Sequence, residues 1–409
     1  TLGVPLFQEQ LMQMAIDVAG FTPSEADQLR QAMGSKRSRA RMEQLKVRLF
    51  EGMAERGITP EVAEEIFMKM AAFANYGFPE SHSVSFSYLV YSSSWIKFHE
   101  PAAFCAALLN AQPMGFWSPH SLCQDARRHG VVVHSPDLNA SLAQATLEPC
   151  PDSVGGVAVR LGLSSVRGIG LDLAQSITVL RKGCRAVTSG CESEGLTQTG
   201  EEGGYGSLEE LVRAVPELTL PQLEAMATAG VFERSLGLER RQALWAVGAA
   251  VQSRPGRLEG IVVGQKAPHL PGMAPLEVAV ADLWATGVAP NGHPTQFLRE
   301  VLAQQGVVTA AGLWDCEPRT KVLVAGVVTH RQRPMTAQGV TFMNLEDETG
   351  LINIVVSKGC WARYRKVARG APALLIRGRL ERSEGVINIS AEELTPLVVA
   401  AHNPSRDFR

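Results

Sequence analysis

TKVLVAGVVTH (320–330), GVTFMNLED (339–347), GLINIVVS (350–357), APALLIRGRLER (371–382) and GVINISAEEL (385–394) are the runs on which the fold of the last third turns. Each is rich in β-branched residues and bounded by Gly, Pro, Asp or Ser, the pattern of a strand. Asp347-Glu348-Thr349-Gly350 makes a tight hairpin link between the second and third runs. A helix over 359–369 separates the third from the fourth. Strand-strand-strand-helix-strand-strand is the order of an OB-fold, a small barrel that receives single-stranded nucleic acid on its face. Between Arg319 and Arg382 there are twelve Lys or Arg against four acids. Arg331, Arg333, Lys358, Arg377 and Arg379 are candidate cations for a phosphate backbone, and Phe342 is a candidate stacking ring. A protein-interaction barrel with basic rims is the alternative, favoured if Phe342 is buried.

Upstream of the barrel the periodicity is helical. Helices are predicted over 208–214, 221–229, 239–250, 275–286 and 294–305, with a Pro/Gly-rich linker at 253–274. Residues 185–206 are rich in Gly, Ser and Glu and read as a mobile surface insertion. Before them, LSSVRGIGLDLAQSITVLRKG (163–183) places Gly168-Ile169-Gly170 between a short and a longer helix. This is a helix–hairpin–helix candidate: glycines admit a phosphate close to the backbone, and the second helix points N–H groups at it. Arg167 adds charge. Strands are predicted at 131–135 and 157–161, and a helix from Ser118-Pro119 to His129-Gly130.

The first third reads as helices over 5–19, 23–33, 39–56 and from Pro60 to about Asn75. Thr22-Pro23-Ser24-Glu25 is a capping box. LRQAMGSKRSRARMEQLKVR (29–48) holds seven Lys or Arg (Arg30, Lys36, Arg37, Arg39, Arg41, Lys46, Arg48) against one acid, Glu43. The net charge of the whole chain is only −2, so this density is local. It suits a grip on phosphate, and equally a solvated basic helix face. An aromatic-rich helix follows (Phe86, Tyr88, Tyr91, Trp95, Phe98), preceded by Ser81 and His82. Core packing is the expectation for these rings.

Bulk composition narrows the classes. The 409 residues are 45% hydrophobic and 20% charged, as in a water-soluble multidomain protein. No apolar run approaches the length of a membrane span. Seven scattered Cys without CxxC spacing argue against a disulfide framework or zinc site and fit a reducing cytoplasm.

Four long strings carry a family resemblance: VPLFQEQLMQMA (4–15), ADQLRQAMGSKR (26–37), FANYGFPESHSVSFSYLVYSSSWIKFHEPAAFCAALL (73–109) and NAQPMGFWSPHSLCQDARRHGV (110–131). They resemble the fingers of the alpha subunit of bacterial DNA polymerase III, the C-family polymerases, and more narrowly the damage-inducible, error-prone paralogue of ImuC type. The resemblance implies a multidomain α+β chain: polymerase fingers (partial) at 1–135, a helix–hairpin–helix DNA-binding region at 136–252, linker and helices at 253–306, an OB-fold at 307–400 and a tail at 401–409. In that family the fingers hold the triphosphate of the incoming deoxynucleotide. By resemblance Arg30, Lys36 and Arg37 contact it, and Ser81 and His82 lie near the nascent pair. Gln31 and Pro79-Glu80 depart from the replicative pattern and leave fewer positive charges.

Nucleotidyl transfer needs carboxylates that hold Mg²⁺. No Asp-x-Asp pair lies on a predicted strand here; in the family those aspartates belong to a palm that precedes the fingers. The chain therefore reads as the C-terminal portion of an error-prone DNA polymerase for lesion bypass, binding primer-template and deoxynucleoside triphosphates and inactive alone. A non-catalytic DNA- or protein-binding scaffold is the alternative. Gln265-Lys266-Ala267-Pro268-His269-Leu270 is a poor sliding-clamp peptide, so an ImuB-like adaptor is the expected link to the clamp.

Overall fold

The structure, a computed structural model, describes residues 6–33, 38–73, 79–115, 117–181, 203–253, 264, 267–334, 337–397 and 406–408. The chain divides into two compact units, Thr1–Phe98 and His99–Arg409.

The first unit is helical: α1 (Gln8–Ala19), α2 (Pro23–Met33), α3 (Ser38–Glu55), α4 (Pro60–Phe73) and α5 (Glu80–His99). Gly20, in the left-handed region, ends α1. The capping box starts α2: the Thr22 N–H donates to Glu25 at 2.7 Å, and the Glu25 N–H donates to the Thr22 hydroxyl at 3.3 Å. Leu11, Ala15, Leu29, Leu49, Met53, Phe67 and Met70 form the core. The aromatics of α5 are not core residues. No residue of α5 is buried, and Phe86, Tyr88, Tyr91, Trp95 and Phe98 are all exposed. Its apolar residues fall on every side of the helix, so they make no single stripe to bury.

The second unit begins with α6 (Pro101–Asn110) and α7 (Pro119–Arg128). The Ser118 hydroxyl caps α7 by accepting from the Ser121 N–H. A small sheet follows, β1 (Val133–His134), β2 (Thr146–Pro149) and β3 (Val157–Arg160), with β3 central. The reading of the sequence missed β2, because TLEP lacks a β-branched run and ends in proline. Then come α8 (Leu171–Arg181), α9 (Leu208–Ala214), α10 (Leu220–Thr228), α11 (Glu233–Leu236), α12 (Arg240–Ala250) and α13 (Pro275–Thr286). They enclose a core that includes Leu163, Ile177, Leu211, Met226, Phe232 and Val247. Tyr205 joins that core at 1% exposure and donates to the Ile177 carbonyl at 2.9 Å. The end of the predicted insertion is therefore an anchor; residues 182–202 lie outside the described residues. The helix expected over 294–305 is a 3₁₀ turn at Gln296–Leu298 followed by α14 (Arg299–Gln304).

The barrel is built from β5 (Lys321–Gln332), β6 (Thr341–Glu346), β7 (Leu351–Val356), α15 (Lys358–Gly370), β8 (Ala373–Ser383) and β9 (Val386–Pro396); the short β4 (Val307–Val308) pairs with β5. A short last strand, β10 (Arg406–Phe408), runs parallel to β5. The first barrel strand pairs with β8 over Lys321–Val327 and with β6 over Val327–Gln332. It bends between them at a bulge near Val328. A Cβ on Gly326 would sit 2.8 Å from the Glu346 carbonyl, so only glycine lets the strands cross there. Parallel pairing of β7 with β9, and antiparallel pairing of β8 with β9, close the barrel. Val324, Met343, Leu345, Ile354, Ile376 and Ile389 fill it.

Candidate nucleic-acid interface

Alternation along β6 and β7 separates lining from face. Met343, Leu345, Ile352, Ile354 and Val356 point inward and are buried. Phe342, opposite Gln332 and Val355, is 39% exposed. Beside it, Asn344 stands opposite Asn353, and the Asn344 amide donates to the Asn353 side-chain oxygen at 3.2 Å. An exposed ring next to two amides offers a base both a stacking plane and polar edges.

The six barrel residues picked from the sequence do not form one cluster. Arg333 follows the end of β5 and stacks its guanidinium 5.5 Å from the centre of the Trp361 ring. Lys358 opens α15 and is exposed. Both flank Gly339 in the β5–β6 loop. Arg377 and Arg379 are exposed but lie on β8, a different wall. There, Glu393 stands opposite Arg377, and Lys321 pairs with Glu392 at 2.9 Å. That wall is of mixed sign.

Arg331 corrects the expectation. It is 6% exposed; its Nε donates to the Ala368 carbonyl at 2.8 Å, and a terminal nitrogen donates to the Ala371 carbonyl. The guanidinium closes the C-terminal end of α15, where free carbonyls and the helix dipole favour a cation. The cause is local: β5 is covered from Val324 through Arg331, leaving no outward face there.

In the hairpin region the expected elements are present: a 3₁₀ turn at Leu163–Ser165, then Gly168-Ile169-Gly170, then α8. Gly168 adopts φ +79° and its carbonyl accepts from Gln222 at 2.9 Å. Ile169 is buried and anchors the turn. Arg167 is exposed and stacks 4.8 Å from the centre of the Trp284 ring, itself 49% exposed. Trp284 is a candidate that the sequence reading missed; its only signal is a large ring among helix positions that packing does not claim. Asp172, in the first turn of α8, weakens the pull on an anion.

In the first unit, Lys36 and Arg37 lie outside the described residues. Arg30 belongs to α2. Ser81 and His82 are in the first turn of α5 rather than before it, and both are exposed. His82 stacks edge-on to Phe86 at 4.5 Å, and the two open an apolar cleft with Val90 and Tyr91. Two cations of the basic run have structural partners. Arg48 donates to the Ala19 and Gly20 carbonyls at the end of α1 and to Glu25 at 3.2 Å. Lys46 pairs with Glu64 at 3.2 Å and covers the Phe67 ring.

The acidic hairpin Glu346-Asp347-Glu348 is consumed by structure. Glu346 accepts from Ser121 at 2.9 Å and Arg128 at 3.0 Å. Burial pushes its carboxyl above the usual range, and Arg128 opposes. Asp347 accepts from the Ala310 N–H and from its own turn at Thr349 and Gly350. Glu348 accepts from Thr295 at 2.6 Å and Arg299 at 2.9 Å. Burial raises its carboxyl, but these hydrogen bonds outweigh burial and hold it below the usual range. His120 and His293 lie 5.4 Å apart beside this seam; burial pulls His120 down to about 3, so it stays neutral. Among the described residues no group of three or more His, Cys, Asp or Glu is placed to hold a metal ion. No described helix is long and apolar enough to cross a membrane.

Comparison with known proteins bears on the whole chain. Residues 1–57 match the bacterial DNA polymerase III alpha subunit finger domain, and 322–397 match an OB-fold nucleic acid binding domain. An error-prone DNA polymerase of Nocardia farcinica is 56% identical over 419 aligned residues, covering 100% of this chain and 34% of that protein. Those of Mycobacterium tuberculosis H37Rv and Corynebacterium glutamicum are 53% and 47% identical, again over 100% of this chain and covering 35% and 36% of theirs. The chain thus spans about a third of the length of the curated relatives it matches.

Proposed function

We propose, from the premise that this chain is a segment of the error-prone DNA polymerase family, that it holds DNA and the incoming nucleotide for template-directed deoxynucleotidyl transfer past lesions. The observation that carries the reading is the open face of the barrel, where Phe342 stands exposed beside Asn344 and Asn353. A single strand stacks a base on that ring while Arg333 and Lys358 meet its phosphates. The Gly168–Gly170 turn, with Arg167 on Trp284, receives the backbone of the duplex. Arg30, Lys36 and Arg37 grip the triphosphate, and Ser81 and His82 border the nascent pair. The catalytic metals and their carboxylates belong to the intact polymerase, and an ImuB-like adaptor brings it to the clamp.

Fluorescence anisotropy of a labelled single-stranded oligonucleotide against the 409-residue chain tests the barrel. Phe342→Ala is expected to weaken binding by about 1–3 kcal/mol, the value of one base–aromatic stack. Primer extension run alongside is expected to show no incorporation by this chain. Unchanged affinity in Phe342→Ala would remove the barrel face from the reading.

A further inference from the structure

The helix between the third and fourth barrel strands carries a second charged surface. In KGCWARYRKVARG (358–370) there are five cations, Lys358, Arg363, Arg365, Lys366 and Arg369, and no acid. All five are exposed, whereas Cys360, Trp361, Tyr364, Val367 and Ala368 turn toward the barrel. Among the described residues none of the five has an ion-pair partner. The neighbouring strand β9 offers two acids: the carboxylate of Glu392 is taken by Lys321, and Glu393 stands opposite Arg377 on β8. Like charges crowded on one helix repel and destabilise it. A face that keeps five of them unneutralised is suited to a polyanion.

We infer that the outer face of α15 is a second nucleic-acid contact, a phosphate-backbone track that continues from the barrel face around its end. Lys358, Arg365 and Arg369 lie along one side of the helix, Arg365 two turns beyond Lys358 and Arg369 one turn further, spanning about 16 Å at the helical rise. The helix departs from regular geometry only at Tyr364, midway along this row. Arg333, stacked on Trp361, joins the row to the strand end that faces Phe342. A strand leaving Phe342 therefore meets Arg333 and Lys358 first and, about 10 Å further along the helix, Arg365 and Arg369. The arrangement offers no base-reading group, so the track is indifferent to sequence. Choosing nucleic acid over an acidic protein rests on the reading of the barrel as a nucleic-acid binder; the charge pattern stands without it.

The test uses the full chain with Arg365→Glu, Lys366→Glu and Arg369→Glu combined, and the same three changed to Gln in case charge reversal impairs folding. Affinity for labelled oligodeoxythymidine and for a duplex is measured across a salt series. Loss of three phosphate contacts is expected to flatten the log K against log salt slope by about 2 on single strands and by about 2.7 on duplex. It is expected to cost roughly tenfold in affinity at low salt. The arm that changes more identifies which form follows the track. Wild-type affinity and slope in both variants would overturn the inference and leave an acidic protein surface as the occupant. That failure is distinct from failure of the barrel reading, in which Phe342→Ala has no effect or the wild-type chain binds neither oligonucleotide.

Discussion

Two basic segments, 29–48 and 358–369, look alike as sequence, yet the cations whose side chains are described in each are used differently. In the first, Arg48 is turned onto the carbonyls that end α1, and Lys46 onto Glu64 and an aromatic ring. In the second, five cations are exposed and, among the described residues, none makes an ion pair. Arg331, one strand away, belongs with Arg48: a cation drawn to free helix carbonyls. Charge density counts cations, but availability depends on which acceptors the fold brings within reach. An unsatisfied helix end is itself an acceptor for a guanidinium and withdraws it from solvent.

That contrast can be broken by experiment. Arg331→Ala is expected to cost about 3 kcal/mol in urea unfolding, because it strips buried carbonyls of a charged donor and leaves a void. Weaker oligonucleotide binding with unchanged stability would place Arg331 among the DNA contacts instead. Arg48→Ala is expected to lower stability by about 1 kcal/mol, the scale of a lost helix cap with a partly exposed ion pair. Thermal melts that match wild type would return Arg48 to the pool of free cations. The smallest effect concerns pH. Glu348 is held below its ordinary range by Arg299 and Thr295 against burial, so its contribution is present above the unfolded value near 4.5 and lost as pH falls through the lowered folded value. Wild type should therefore lose more stability than Glu348→Gln on acidification below about pH 5, the two converging. Parallel curves would show that Glu348 carries no such linkage.

The strand order of the barrel was legible because each run is bounded by turn residues and alternates over a filled interior, as Met343 and Leu345 do against Phe342 and Asn344. The helix boundaries at Ser118, Ser207 and Pro275 were legible for a similar reason, since caps act within four residues. Less local features escaped. Rings spaced as in a core helix are exposed along α5, while Tyr205, in a Gly- and Glu-rich stretch, is buried. Trp284 gained its place beside Arg167 only through the packing of α13 on the hairpin.

By itself the amino-acid order determined the elements, the strand-strand-strand-helix-strand-strand barrel and the concentration of charge in two short segments. These follow from side-chain periodicity and capping, which act over a few residues. Tertiary structure alone decided that Arg331 is a helix cap, that Glu346 and Glu348 bind arginines, and that the cations of α15 make no ion pair among the described residues. The physical reason is distance along the chain: the partner of each such group lies tens to hundreds of residues away, and only folding sets which donor meets which acceptor.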